Sequence, residues 1–167
     1  SGDDTMKGGK GDDHIKGSSG NDTAKGGTGD DTFNGGSGND TFKGGNGDDI
    51  AKGKKGNDDL SGGKGKDDLY GNSGKDELNG NKGADVIIGG RGQDDMTGGK
   101  GNDVFVFRAG FGHDTIKDFK DNNAEKIDLS DVAAVKSITD LRNNHLSNDG
   151  GDAIITVGEN TIRLDGF

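Results

Sequence analysis

The chain has 167 residues, 36 of them Gly, with no Pro, Cys or Trp; 25% are hydrophobic, and 31 acidic against 21 basic residues give a formal charge of -10. No apolar run of about 18 residues exists, so no membrane span is expected. The absence of Cys excludes a disulfide framework and a Cys-based zinc site, and the acidic balance disfavours nucleic acid as a partner. No basic segment followed by an apolar stretch opens the chain, so no classical signal peptide is read. A chain this polar and Gly-rich should be disordered in water, because burial does not offset the backbone entropy lost on folding. Something beyond a hydrophobic core has to hold it.

From Gly8 to Val106 the chain divides into eleven blocks of nine, preceded by a partial block, Ser1 to Lys7. Each block reads G-G-x-G-x-D-x-U-x, with U apolar. The first glycine is Gly8, Gly17, Gly26, Gly35, Gly44, Gly53, Gly62, Gly71, Gly80, Gly89 and Gly98. The third is Gly2, Gly11, Gly20, Gly29, Gly38, Gly47, Gly56, Gly65, Gly74, Gly83, Gly92 and Gly101. The second is looser: Gly9, Gly27, Gly36, Gly45, Gly63, Gly90 and Gly99 alternate with Ser18, Lys54, Asn72 and Asn81. The Asp column is Asp4, Asp13, Asp22, Asp31, Asp40, Asp49, Asp58, Asp67, Asp76, Asp85, Asp94 and Asp103. The U column runs Met6, Ile15, Ala24, Phe33, Phe42, Ala51, Leu60, Leu69, Leu78, Ile87, Met96, Phe105. A flexible linker has no reason to keep Asp and an apolar residue in period.

This pattern resembles the RTX (repeats-in-toxin) nonapeptide, the haemolysin-type calcium-binding repeat. The chemistry of the residues agrees. Glycines permit a tight turn opening each block, carbonyls and Asp supply hard oxygens that suit calcium, and x-U-x reads as a short strand with U inward. One block is half a coil. The expected fold is all-β, a right-handed parallel β-roll over residues 1–106, in which blocks n and n+2 stack. Asp4, Asp22, Asp40, Asp58, Asp76 and Asp94 then line one edge, and the other six Asp the opposite edge. The resemblance implies calcium between stacked loops, held by these Asp and by backbone carbonyls of the repeat glycines. Six loops per column leave five gaps each, so about ten ions are expected. In the thin core, Ala24 and Ala51 flank Phe33 and Phe42, so small residues complement large ones.

Residues 107–167 read as a C-terminal capping region with one short helix. Ala109 to Lys117 fits the nonapeptide after an insertion of Phe107 and Arg108, and places Asp114 after Asp94 as one more candidate ligand. Ile127 to Leu129 reads as a strand, and Ser137 to His145 as a short helix with apolar Ile138 and Leu141. Asn148 to Gly151 reads as a turn, and Ala153 to Val157 with Thr161 to Leu164 as a hairpin. Val104-Phe105-Val106-Phe107 followed by Asp114-Thr115-Ile116-Lys117-Asp118-Phe119 resembles the flank that follows the last repeats in RTX proteins of Gram-negative bacteria. That resemblance implies export by a type I secretion apparatus in the unfolded state, and an extracellular location. Ser1 falls inside a block and Asp165-Gly166-Phe167 ends the chain without a short apolar tail, so the chain reads as a fragment of a longer protein.

The smaller signals are weighed against bland readings. His14, His113 and His145 lie far apart and lack a partner constellation, so no catalytic centre is read and no enzyme activity is expected. Earlier blocks end in Lys7, Lys16, Lys25, Lys43 and Lys52, some beside Thr5, Thr23 and Thr41; later blocks carry Asp59, Asp68, Glu77 and Asp95 outward. Solubility and protection against edge pairing explain the lysines. The sharper reading is a strip for an acidic polysaccharide such as alginate, supported by a resemblance to the modules of mannuronan epimerases. An ice-binding or adhesin surface is a third reading, with Lys interrupting the Thr rows. Lys66, Lys75, Ala84 and Gln93 depart from the usual Asn or Asp before the repeat Asp. They and Lys54, Asn72 and Asn81 predict weaker calcium sites in those blocks. The chain is expected to be a monomer that folds when calcium arrives.

Overall fold

The structure is a computed structural model that describes residues 1–120, 125–137 and 140–166. Strands recur every nine residues: β1 (Thr5–Lys10), β2 (His14–Ser19), β3 (Thr23–Thr28), β4 (Thr32–Ser37), β5 (Thr41–Asn46), β6 (Ile50–Lys55), β7 (Asp59–Lys64), β8 (Asp68–Gly74), β9 (Glu77–Lys82), β10 (Val86–Gly92), β11 (Asp95–Lys100) and β12 (Val104–Arg108). After the period breaks come β13 (His113–Ile116), β14 (Lys126–Asp131), β15 (Leu146–Asp149), β16 (Asp152–Val157) and β17 (Asn160–Leu164). Odd strands β1 to β13 form one sheet, continued by β17, β16 and β15; even strands β2 to β14 form the other. The pairing is parallel as far as β17 and antiparallel within β15–β16–β17. This is an all-β parallel roll, as the period predicts.

Each strand is longer than the expected x-U-x triplet. Pairing continues through the first two glycines, with Gly9 opposite Gly27 and Gly27 opposite Gly45. The turn is therefore confined to the G-x-D segment and does not open the block. The U residues make two inward rows. Met6, Ala24, Phe42, Leu60, Leu78, Met96 and Ile116 succeed one another in one sheet. Ile15, Phe33, Ala51, Leu69, Ile87, Phe105 and Ile127 do so in the other. Phe33 and Phe42 stack across the core at 4.9 Å with planes 3° apart. Ala51 pairs beside Phe33 and Ala24 beside Phe42, which leaves each ring its space.

Both sheets run on past residue 107. The hairpin β16–β17 forms where expected and packs Ile155, Ile162 and Leu164 into the same core. One reading is corrected. Asn148 and Asp149 pair with Ala153 and Asp152 as a further strand, which narrows the turn to Gly150–Gly151. The short helix forms where expected: the Leu141 N–H donates to the Ser137 carbonyl, Asp140 is helical and Leu141–His145 is a π-turn, while Ile138 lies outside the described residues. Ser137 Oγ accepts the Asp140 N–H, as a polar N-cap does, and Asp140 in turn accepts from the Lys136 N–H.

Candidate metal centre

The repeat Asp lie where each strand enters from its loop. Every Asp Oδ1 accepts the backbone N–H of the Asp eighteen residues earlier, at 2.8–3.0 Å, from Asp22 with Asp4 onward. One column is Asp4, Asp22, Asp40, Asp58, Asp76, Asp94 and the other Asp13, Asp31, Asp49, Asp67, Asp85, Asp103. Asp114 joins the first: its Oδ1 accepts the Asp94 N–H at 3.0 Å across a separation of 20, so the two inserted residues are absorbed outside the column. The columns leave six and five gaps.

The second carboxylate oxygen is different. Oδ2 of Asp13 and of the eleven repeat aspartates after it, through Asp114, is buried without a hydrogen-bond partner. A buried carboxylate normally has its lone pairs satisfied, and leaving one orphaned is costly. Burial, reinforced by neighbouring carboxylates, pushes Asp49, Asp58, Asp85 and Asp94 up to about 6, Asp67 and Asp76 to about 7, and Asp114 to about 8, against an ordinary 3.8; the ladder N–H pulls the other way. Asp31, Asp40 and Asp103 are also raised, by burial above all.

The orphaned oxygens explain the first glycine. A Cβ at Gly8 would lie 2.5 Å from Asp13 Oδ2 and 2.8 Å from the Gly26 carbonyl oxygen. The carboxylate and a carbonyl of the next coil thus converge on a spot that only hydrogen leaves open. The same relation recurs at Gly17, Gly26, Gly35 and Gly44. The third glycine obeys another constraint: Gly83 takes φ +145°, and a Cβ there would overlap the Gly65 carbonyl oxygen. The second position is looser because φ there can relax. Ser18, Lys54, Asn72 and Asn81 adopt φ of 74–90°, and both Asn donate Nδ2 to a carbonyl two residues back. Their blocks keep the Asp ladder.

Among the described residues, no three His, Cys, Asp or Glu side chains gather as a metal cluster. Each gap offers carboxylate oxygen from stacked Asp, and otherwise backbone carbonyls such as that of Gly26. An all-oxygen, irregular donor set fits calcium and not a transition metal. The orphaned Oδ2 atoms fit such an ion, which would supply the positive charge that each buried carboxylate lacks.

Three supports escaped the sequence reading. The residue before each repeat Asp makes a counter-running ladder: Asn21 N–H donates to Asp3 Oδ1, Asn39 to Asn21, Asn57 to Asn39 and Lys75 to Asn57. The other edge runs Asp12, Asp30, Asp48, Lys66. Lys has no acceptor to pass on, so each line ends there. Asp118 grips the Gly98 and Gly99 N–H groups at 2.9 and 2.8 Å, past the end of the short β13. Ile162 sits beside Asp114 in register and closes the column. Asn or Asp before the repeat Asp was the available signal for the first; the others come from distant sequence.

The five candidate lysines do not make one strip. Lys7, Lys25 and Lys43 align on one sheet beside Thr5, Thr23 and Thr41, whereas Lys16 and Lys52 lie on the other with Asn34 between them. Asp59, Glu77 and Asp95 continue the Thr row; Asp68 faces out from the opposite sheet. The histidines remain apart: His113 meets Thr161 Oγ1 at 3.0 Å and His145 the Thr156 carbonyl at 2.7 Å.

The model of the RTX calcium-binding nonapeptide repeat matches residues 1–33, 17–51, 43–78 and 70–105. Among solved structures, the chain is similar to the extracellular lipase LipA from Serratia marcescens, at 20% identity and a TM-score of 0.47, over 99% of this chain and 36% of the lipase. It is also similar to a subunit of the mannuronan C5-epimerase of Azotobacter vinelandii, at 26% identity and a TM-score of 0.47, over 65% of this chain and 71% of that one. Comparison with curated proteins gives no match.

Proposed function

The chain belongs to the family of RTX calcium-binding nonapeptide repeats, and from that premise we propose that it is a calcium-dependent folding module of a larger extracellular protein, exported unfolded by a type I system. The observation that carries this reading is the row of twelve buried, unpartnered Asp Oδ2 atoms. Without cations the roll would bury like charges in two files, and the thin core does not offset that. At submicromolar calcium the chain stays open. At roughly 10⁻⁴–10⁻³ M, the range of extracellular modules, ions fill the gaps and add folding energy by mass action. The role is binding and folding, not catalysis, and the module acts as a monomer. The cap seeds the roll at its C-terminal end, where Asp114 and Asp118 join repeat to flank.

Far-UV circular dichroism tests this at neutral pH. The expected result is a disordered spectrum in excess chelator that becomes β-rich on adding calcium. A β-rich spectrum in chelator sinks it.

A second reading has its own support. About ten calcium ions add about +20 to a chain of -10, so the loaded module is net positive. The aligned Lys7, Lys25 and Lys43 then suit an acidic polysaccharide such as alginate. Salt-sensitive binding lost on neutralising these three lysines supports it; salt-insensitive binding counts against it.

A further inference from the structure

The outward face of the even-stranded sheet changes character where the period breaks. Lys16, Asn34 and Lys52 occupy one outward row, and Tyr70 and then Ile88 continue it. Val106 on β12 extends this short apolar stretch. Beyond it Arg108, Ala109 and Phe111 make a wall, with Phe111 packed edge to face at 5.2 Å on Phe107, which points into the core. Between floor and wall lies a cleft of about 300 Å³, with glycine at 90 and Arg91 and Arg108 at its rim. Asn72 and Ser73 supply polar atoms along the same lining.

The chemistry narrows the occupant. An apolar floor with an aromatic edge suits the flat face of a ring. Two guanidinium groups match a carboxylate, which Arg binds in a fork. Among the described residues Arg108 has a 3.5 Å pair with Asp131, both side chains 63% exposed, so that pair is weak and leaves Arg108 available to a ligand. Asn72 and Ser73 suit hydroxyl groups, so the lining fits a ring that carries both apolar and polar faces. We propose that the cleft is a subsite for one carboxylated sugar ring, stacked on Tyr70, Ile88 and Val106, with its carboxylate on Arg91 and Arg108. The subsite is separate from the Lys7–Lys25–Lys43 row and from the calcium gaps.

The test is an amide chemical-shift titration of the calcium-loaded chain with methyl glucuronide, and with methyl glucoside as the neutral control. Shifts should cluster at residues 70–73, 88–91 and 106–111, with a millimolar dissociation constant. Methyl glucoside should bind about tenfold more weakly, and so should methyl glucuronide to the surface double variant Arg91→Gln/Arg108→Gln. Tyr70→Ala should weaken binding similarly, whereas neutralising Lys7, Lys25 and Lys43 should leave it unchanged. The proposal is overturned by equal affinity for both sugars, by an unaffected double variant, by shifts centred on the lysine row, or by no shifts at millimolar ligand.

Discussion

Ile162 stands beside Asp114 in the register of β13 and β17, so an aliphatic side chain takes the place where the next carboxylate of the column would be. Ile162 is fully buried, and Asp114 is the repeat Asp raised furthest, to about 8. The file of charges thus ends against an apolar lid. Asp114→Asn should raise the calcium midpoint of folding at least twofold. Asp4→Asn, at the exposed opposite end, should leave it nearly unchanged. Equal shifts would argue against folding led by the cap. Ile162→Ala should cost about 2–5 kcal/mol, read by denaturant unfolding in saturating calcium.

Acidity should act in opposite directions with and without calcium. In the metal-free roll, burial raises the Asp well above 3.8, so the folded chain holds protons that the unfolded chain releases. Stability tied to these groups is therefore present below about pH 4 and lost as pH rises through about 6 to 8. In chelator, β-content should increase as pH falls from 8 to about 5. In limiting calcium, protons compete for the same oxygens, and the calcium midpoint should rise on acidification. A β-signal in chelator that grows with pH contradicts the first part.

The repeat glycines should respond to alanine according to whether a neighbouring coil covers them. Gly83→Ala should abolish cooperative folding in calcium, because its Cβ meets the Gly65 carbonyl of the neighbouring coil. Gly9→Ala, in the outermost coil, should cost only about 1 kcal/mol, because its φ is +124° but nothing lies within 4 Å, whereas a Cβ at Gly27 in the same column would meet the Gly9 carbonyl. Lys54→Gly should stabilise by about 1 kcal/mol, since Lys54 holds φ +90°. Thermal melts at fixed calcium check all three.

The core pair should show compensation. Phe42→Ala alone leaves a cavity facing Phe33 and should cost about 3–5 kcal/mol. Adding Ala24→Phe, one strand away in the same row, should restore part of that loss. A double variant no better than the sum of its parts would show that the rows do not share volume.

The counter-running ladder offers a small gain. Lys66→Asn supplies an acceptor for the Ala84 N–H, extending the line from Asp12 through Asp48. Its calcium midpoint should fall modestly, by about 1 kcal/mol in folding energy. An unchanged midpoint would mean that solvent satisfies that N–H equally well.

The roll was legible because its period is local: Asp and U recur every nine residues, and alternation alone assigns them inward. The pairing of Ala24 with Phe42 follows from that period. Asp118, Ile162 and the wall at Arg108–Phe111 were hidden for the opposite reason. Asp118 reaches back 20 residues to Gly98, and Ile162 comes 48 residues after Asp114. No period connects such partners. The strands outrun the expected triplet because glycine signals a turn in sequence, while at Gly8 the glycine serves close approach within a strand.

Every ladder bond within the repeats joins residues eighteen apart, so each coil is held by the coil beside it and by little else. Under tension this spacing acts as a zipper. A pull on Ser1 with the cap fixed loads only the outermost coil, and that coil must let go before the next one feels the force. Each release frees a like length of chain and empties the gap behind it. Stretched in calcium, the roll should yield as a staircase of even steps, with the last step, at the cap, the hardest.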